Sequence, residues 1–252
     1  MCLTGELTNA ARVRKLAYGL AILTKNDRVD SLVLAHFGRL AKPRRWMPVE
    51  PLVCDLSALI LRLEDLEGDL QHELNRREQA CAKGVTALVI RSFDVVIRTL
   101  KSQRKEVQAA IDSLVADDVS LADDMRRLRS IPAIGPKTAP RMLVLLRSHD
   151  FKSAREVAAF VGLVPVERQS GLNAGHPHLS KAGNPRLRAA LYMAAIVASK
   201  LNPDVRAHYE HLVTAGKPKM VALGAAMRKL VHLCFGVWKS GDVYRPRRHV
   251  TA

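Results

Sequence analysis

A chain of 252 residues, 48% hydrophobic and 25% charged, can bury the core of one large domain or two modest ones and does not have the composition of a disordered protein. No uninterrupted apolar run reaches the roughly 20 residues of a spanning helix, and the N-terminus lacks the basic-then-apolar layout of a signal peptide. Lys and Arg outnumber Asp and Glu by 40 to 24, a net charge of +16, so the expected partner is a polyanion and no membrane is expected.

Four cysteines, Cys2, Cys54, Cys81 and Cys234, lie far apart without a C-x-x-C, which argues against a disulfide scaffold or a cysteine zinc site. The expected setting is therefore cytoplasmic, at the nucleoid. Aromatic residues make up only 4%, which weakens any reading built on stacked single-stranded bases. The charge is uneven. Residues 55–125 hold 9 basic and 14 acidic groups, whereas residues 152–252 hold 16 basic and 5 acidic. An acidic helical middle between basic ends reads as a spacer joining two parts that face nucleic acid.

In chain order, residues 9–23 carry apolar side chains at 13, 16, 17, 20 and 23 behind Asn9, which predicts a capped helix. A second helix is expected from Asp27 to about Leu40, ending before the loop KPRRWMP. Asp27 and Asp30 stand at i and i+3 near its start, so both carboxylates share a face. That spacing suits Mg²⁺, and it equally suits a helix start, where Asp27 is a simple cap.

From Leu56 a heptad runs through Leu59, Leu63, Leu66 and Leu70, and a second through Phe93, Val96, Leu100, Val107, Ile111 and Leu114, with a break near Cys81–Gly84. Two such helices make an antiparallel hairpin or an arm that dimerises. The string LRSIPAIGPKTAPRMLVLL then has the layout of a helix-hairpin-helix. A tight turn at Gly135 would aim backbone N–H groups at a phosphate, with Lys137 and Arg129 adding charge. A plain helix–turn–helix packing unit is the alternative.

A helix is expected around residues 153–160, then an irregular Gly-containing stretch over 162–184. Ser170 lies in that stretch between Arg168 and Gly171, with Lys181, Arg186 and Arg188 downstream. It is either a turn residue or a nucleophile whose phosphate the cations would neutralise. Asn184-Pro185 starts an Ala-rich helix and Pro203 another. Residues 219–239 form an amphipathic one through Leu223, Met227, Leu230, Val231, Cys234 and Trp238, and the tail YRPRRHVTA is expected to be disordered. His176 with His178, and His208 with His211, lack cysteine partners and read as surface pairs. No Gly-rich nucleotide loop is present.

Taken together, IPAIGPKTAPRMLVLL, FKSAREVAAFVGLVPVERQSG and LSKAGNPRLRAALYMAAIVA resemble the C-terminal domain of the insertion-sequence 110/1111 transposases, over roughly residues 125–240. NAARVRKLAYGLAILTKNDRVDSLVLAHF looks like the end of the same family's N-terminal domain. The resemblance implies a mostly α chain: a remnant of a RuvC-like (ribonuclease-H-like) α/β domain over 1–45, a coiled-coil arm over 46–124, an α-helical transposase domain with a helix-hairpin-helix over 125–240, and a basic tail over 241–252. It implies a DNA recombinase acting on a mobile element and its target, as a homo-oligomer guided by a structured bridge RNA. Of the family's Asp-Glu-Asp-Asp set around Mg²⁺, Asp27 and Asp30 match the last two members, and Ser170 matches the serine nucleophile. The first Asp and the Glu belong to strands ahead of residue 1. The chain therefore reads as N-terminally truncated, with impaired recombination. The rival readings are a non-catalytic nucleic-acid-binding protein using the hairpin, or a decayed transposase fragment.

Overall fold

Ten α-helices and two short antiparallel strand pairs form the secondary structure of the described residues, which in this computed structural model are 10–42, 48–166, 169–170, 173–174 and 178–246. The chain is mostly α. It divides into two compact units, Met1–Pro48 and Val49–Ala252.

In the first unit, α1 (Ala10–Gly19) packs on α2 (Asp27–Ala41) through Ala17, Val33 and Phe37. α1 is shorter than its periodicity predicts. Ala21 turns left-handed at φ 58°, and the Ile22 N–H reaches back to the Ala17 carbonyl at 2.8 Å, a Schellman closure that leaves Leu20 and Leu23 exposed. The cap of α2 is Asn26 rather than Asp27: its side chain accepts from the Val29 N–H at 2.8 Å. Asn9 and residues 43–47 of the KPRRWMP loop lie outside the described residues.

The second unit opens with α3 (Pro51–Ala82) and α4 (Ala87–Asp117), joined by a turn in which Gly84 has φ 65°. They pack as an antiparallel hairpin. Arg77 pairs with Asp94 at 2.6 Å near the turn, and Arg62 donates to Gln103 at 3.3 Å further down. The heptads are thus satisfied within one chain. The α4 seam differs at one step from the expected one, since Ile97 is buried whereas Val96 is 42% exposed. The run Phe93, Ile97, Leu100, then Val107, Ile111, Leu114 keeps the four-three alternation, and Val96 falls one place off it.

At its base the hairpin does not stand apart. Leu56, Ile60 and Ile111 belong to the same hydrophobic core as α5 (Val119–Arg129), α6 (Thr138–Arg147), α7 (Ala154–Val161), α8 (Pro185–Leu201), α9 (Pro203–Thr214) and α10 (Lys219–Ser240). Fully buried leucines such as Leu128, Leu143, Leu191 and Leu230 each contribute on the order of 1.5–3 kcal/mol. α10 is long and apolar enough to cross a membrane by length and composition. Here it packs on α5, α7, α8 and α9, burying Ala222, Ala226, Leu230, Val231 and Cys234. Burial pushes the Cys234 thiol up to about 12, so it stays uncharged.

Side-chain caps start the smaller helices. Asp118, Ser153, Asn184 and Asn202 accept from N–H groups of α5, α7, α8 and α9 respectively. The start of the expected disordered tail is instead docked. Tyr244 donates its N–H to Ser130 Oγ at 2.7 Å and its hydroxyl to Asn202 at 3.0 Å and buried Asp204 at 2.8 Å. These polar partners, hidden in the sequence, outweigh the tail's composition. Residues 247–252 lie outside the described ones.

Candidate functional site

The stretch after α7, expected to be irregular, holds a ribbon of two separate, nested two-stranded pairs. β1 (Pro165–Val166) pairs with β4 (His178–Leu179), and β2 (Gln169–Ser170) with β3 (Asn173–Ala174), all antiparallel. Ser170 is opposite Asn173 in the β2–β3 pair. Arg168 and Gly171 lie outside the described residues, as does the His176 of the first histidine pair.

Two glycines explain the ribbon's foot. Gly162 closes α7 at φ 82°, and a Cβ there would meet the Ala182 nitrogen at 2.7 Å. A Cβ on Gly183 would stand 2.1 Å from the Phe160 carbonyl oxygen, so backbone lies directly against backbone. Across the gap the Ser180 N–H donates to Val164 at 3.0 Å and the Lys181 N–H to Gly162 at 3.2 Å. Arg188, from the first turn of α8, donates to the carbonyls of Val161 (3.2 Å) and Gly183. Its guanidinium is thereby engaged in holding the foot together. Lys181 is exposed, with left-handed φ 53°.

The hairpin between α5 and α6 is anchored by buried Ile131 and Ile134. Its left-handed residue is Ala133, φ 80°, whereas Gly135 takes an ordinary φ. The Gly135 carbonyl accepts from Thr138 and Ala139 at 3.1 and 2.9 Å, and no side chain caps α6. Arg129 is exposed at the end of α5.

The acidic flank of α3 lies against this hairpin and the start of α8. Lys137 pairs with Glu67 at 2.8 Å, Arg141 with Glu64 at 2.5 Å, and Arg186 with Asp65 at 2.9 Å and Glu64 at 3.2 Å. The carboxylates, Asp65 most, raise the Arg186 pKa further. The structure thus brings Gly135, Lys137 and Arg186 together in one groove, lined also by Glu64, Asp65 and Glu67. Sequence reading missed these pairings because each joins residues about 70 to 120 positions apart.

Asp27 and Asp30 occupy the first turn of α2, in the other compact unit. Asn26 does the capping, and among the described residues neither carboxylate has an ion pair. Nor do the described residues contain a group of three or more His, Cys, Asp and Glu suited to a metal. Two carboxylates one turn apart offer hard oxygen donors, the class Mg²⁺ takes when water and phosphate oxygens fill its other positions. The donor chemistry fits.

Residues 125–210 match the family model of the IS116/IS110/IS902 transposases. The pilin gene-inverting protein of Moraxella lacunata is 28% identical over 248 residues, covering 97% of this chain and 75% of that protein. The 43.6 kDa protein of insertion element IS110 from Streptomyces coelicolor is 26% identical over 166 residues, 65% of this chain and 40% of its own length. The transposase of insertion sequence element IS1111A from Coxiella burnetii is 36% identical over 74 residues, 29% of this chain and 20% of its own. The matched segment encloses both the hairpin between α5 and α6 and the ribbon carrying Ser170, and over it the chain is similar to the IS116/IS110/IS902 transposases.

Proposed function

We propose that this protein is a DNA recombinase of a mobile insertion element, with Ser170 as its nucleophile and Asp27 and Asp30 as Mg²⁺ ligands. The observation that carries the reading is the place of Ser170: inside the transposase domain, on a ribbon fixed at its foot by Gly162, Gly183 and Arg188. The Ser170 hydroxyl attacks a DNA phosphorus and gives up its proton. A serine–phosphodiester bond forms, the bond to the leaving deoxyribose oxygen breaks, and that oxygen takes a proton. Arg168 and Lys181 neutralise charge on the phosphate, while Arg188 positions the ribbon. Asp27 and Asp30 would hold Mg²⁺, which would supply positive charge to DNA phosphate oxygens. α1 and α2 are read as helices of a RuvC-like domain, and residues 128–146 as a helix-hairpin-helix in which Arg129, Gly135 and Lys137, joined by Arg186 at the start of α8, meet the DNA backbone. A homo-oligomer and a structured bridge RNA complete the reading.

The test is a denaturing gel of protein incubated with element-end DNA and Mg²⁺. A covalent protein–DNA species is expected from the wild type, absent in Ser170→Ala and slowed in Asp30→Asn with DNA binding retained. An adduct that persists in Ser170→Ala overturns the nucleophile. DNA binding without any adduct in the wild type overturns catalysis and leaves a non-catalytic binding protein.

A further inference from the structure

α10 carries Lys219, Arg228, Lys229 and Lys239 and no acidic residue. His232 follows Arg228 by four positions and Lys229 by three, which places the three on one side of the helix. The charges that reach His232 are those of Arg228, Lys229 and, from α7, Arg155. Those that reach His208 on α9 are Lys229 and His211. Arg155, Arg228 and Lys229 are cationic, so a positive strip runs from α7 onto α10, and Lys229 reaches toward His208 on α9, which packs on α10. Burial first, then these charges, push both imidazoles below the usual histidine range. Arg155 and His211 are exposed, and Arg228, Lys229, His232 and His208 half-buried.

The strip differs from the hairpin in one decisive respect. Lys137, Arg141 and Arg186 are already matched by Glu67, Glu64 and Asp65. Among the described residues, none of Arg155, Arg228 and Lys229 has a carboxylate partner. Like charges gathered on one face without counter-charges cost free energy, which a polyanion laid across them returns. The strip contains no Phe, Tyr or Trp, so it is suited to regularly spaced phosphates rather than to stacked single-stranded bases.

We propose that the strip formed by Arg155, Arg228, Lys229 and His232 binds the phosphate backbone of duplex DNA, as a surface separate from the α5–α6 hairpin. This rests on the reading above that the chain acts on DNA. It adds that most of the non-specific affinity comes from this face.

The experiment is fluorescence anisotropy of the full chain with a labelled duplex of arbitrary sequence, titrated at several salt concentrations. Arg228→Gln/Lys229→Gln is compared with wild type, with Arg155→Gln and with Lys137→Ala, and a structured RNA of equal length serves as competitor. The double variant should lose about tenfold at low salt. Its log–log salt slope should fall by about two, and that of Arg155→Gln by about one, because each lost phosphate contact removes about 0.9. Lys137→Ala should lose less. Wild-type binding with unchanged affinity and slope in both strip variants overturns the surface and leaves the DNA reading standing. No wild-type binding to duplex at low salt removes that reading and the strip with it. Binding to the RNA alone overturns the duplex assignment. Circular dichroism reports folding, and if the double variant unfolds, Arg155→Gln on the exposed side of α7 decides.

Discussion

Glu64 of α3 and Arg141 of α6 form an ion pair at 2.5 Å, with side chains only 10% and 17% exposed, so the acidic arm is fastened to the hairpin by charges largely hidden from water. Removing one partner strands the other. Glu64→Ala should destabilise the protein by on the order of 3 kcal/mol in urea unfolding, and Glu64→Leu/Arg141→Met should recover most of it. A loss in the double variant equal to the sum of the Glu64 and Arg141 single losses would show that the pair does not act as a unit.

The Lys137–Glu67 pair is of another kind, with the lysine 70% exposed. Its removal should hardly affect stability. If Lys137 meets phosphate, Glu67→Gln frees it, and DNA affinity at low salt should rise by a few-fold. A fall in affinity, read by the same anisotropy titration, would remove Lys137 from the DNA surface.

Gly183→Ala drives a methyl group into the Phe160 carbonyl, 2.1 Å away, with no flexible side chain to yield. It should lower stability by several kcal/mol or shift the ribbon foot, a loss larger than the roughly 1 kcal/mol expected for Asn184→Ala at the neighbouring cap. Thermal unfolding of the two variants side by side tests the ranking.

Two opposite pH effects follow from the buried polar groups. His208 and His232 sit below the ordinary value of 6.5, so the unfolded chain binds protons more readily than the folded one. Their contribution is therefore fully present above pH 6.5 and is lost as pH falls through the lowered folded values. Tyr244 is pushed up to about 12, by burial first and then by its bond to Asp204. Its contribution is present below 10 and lost as pH rises through about 12. Tyr244→Phe should cost about 1–3 kcal/mol near neutrality and flatten the alkaline limb. Urea midpoints across pH measure both.

Much of the helical order was legible because its signals are local. Asp27, Ser153, Asn184-Pro185 and Pro203 mark helix starts that the structure places within a residue or two, although the cap of α2 is Asn26. The α3 stripe was legible for the same reason, whereas in α4 the polar step at Gln103 let the heptad be read one place off, at Val96 instead of Ile97. The docking of Tyr244 on Asn202 and Asp204 was not legible, because it joins residues about 40 positions apart in a segment whose composition reads as tail. Nor was the ribbon: its strands are two residues long, too short for a period-two pattern to appear. The candidate site shows the same division. Ser170, Asp27 and Asp30 come from short strings, but the neutralisation of Lys137 and Arg186 by the arm appears only once the chain is folded.

The assignment of Ser170 is the central claim, and the most direct measurement of it is the site of covalent attachment to DNA. Protein trapped on element-end DNA in Mg²⁺, digested with nuclease and protease, should give one peptide with added nucleotide mass, and fragmentation should place that mass on Ser170. Attachment at any other residue, or DNA strand transfer by the Ser170→Ala variant, would contradict the account.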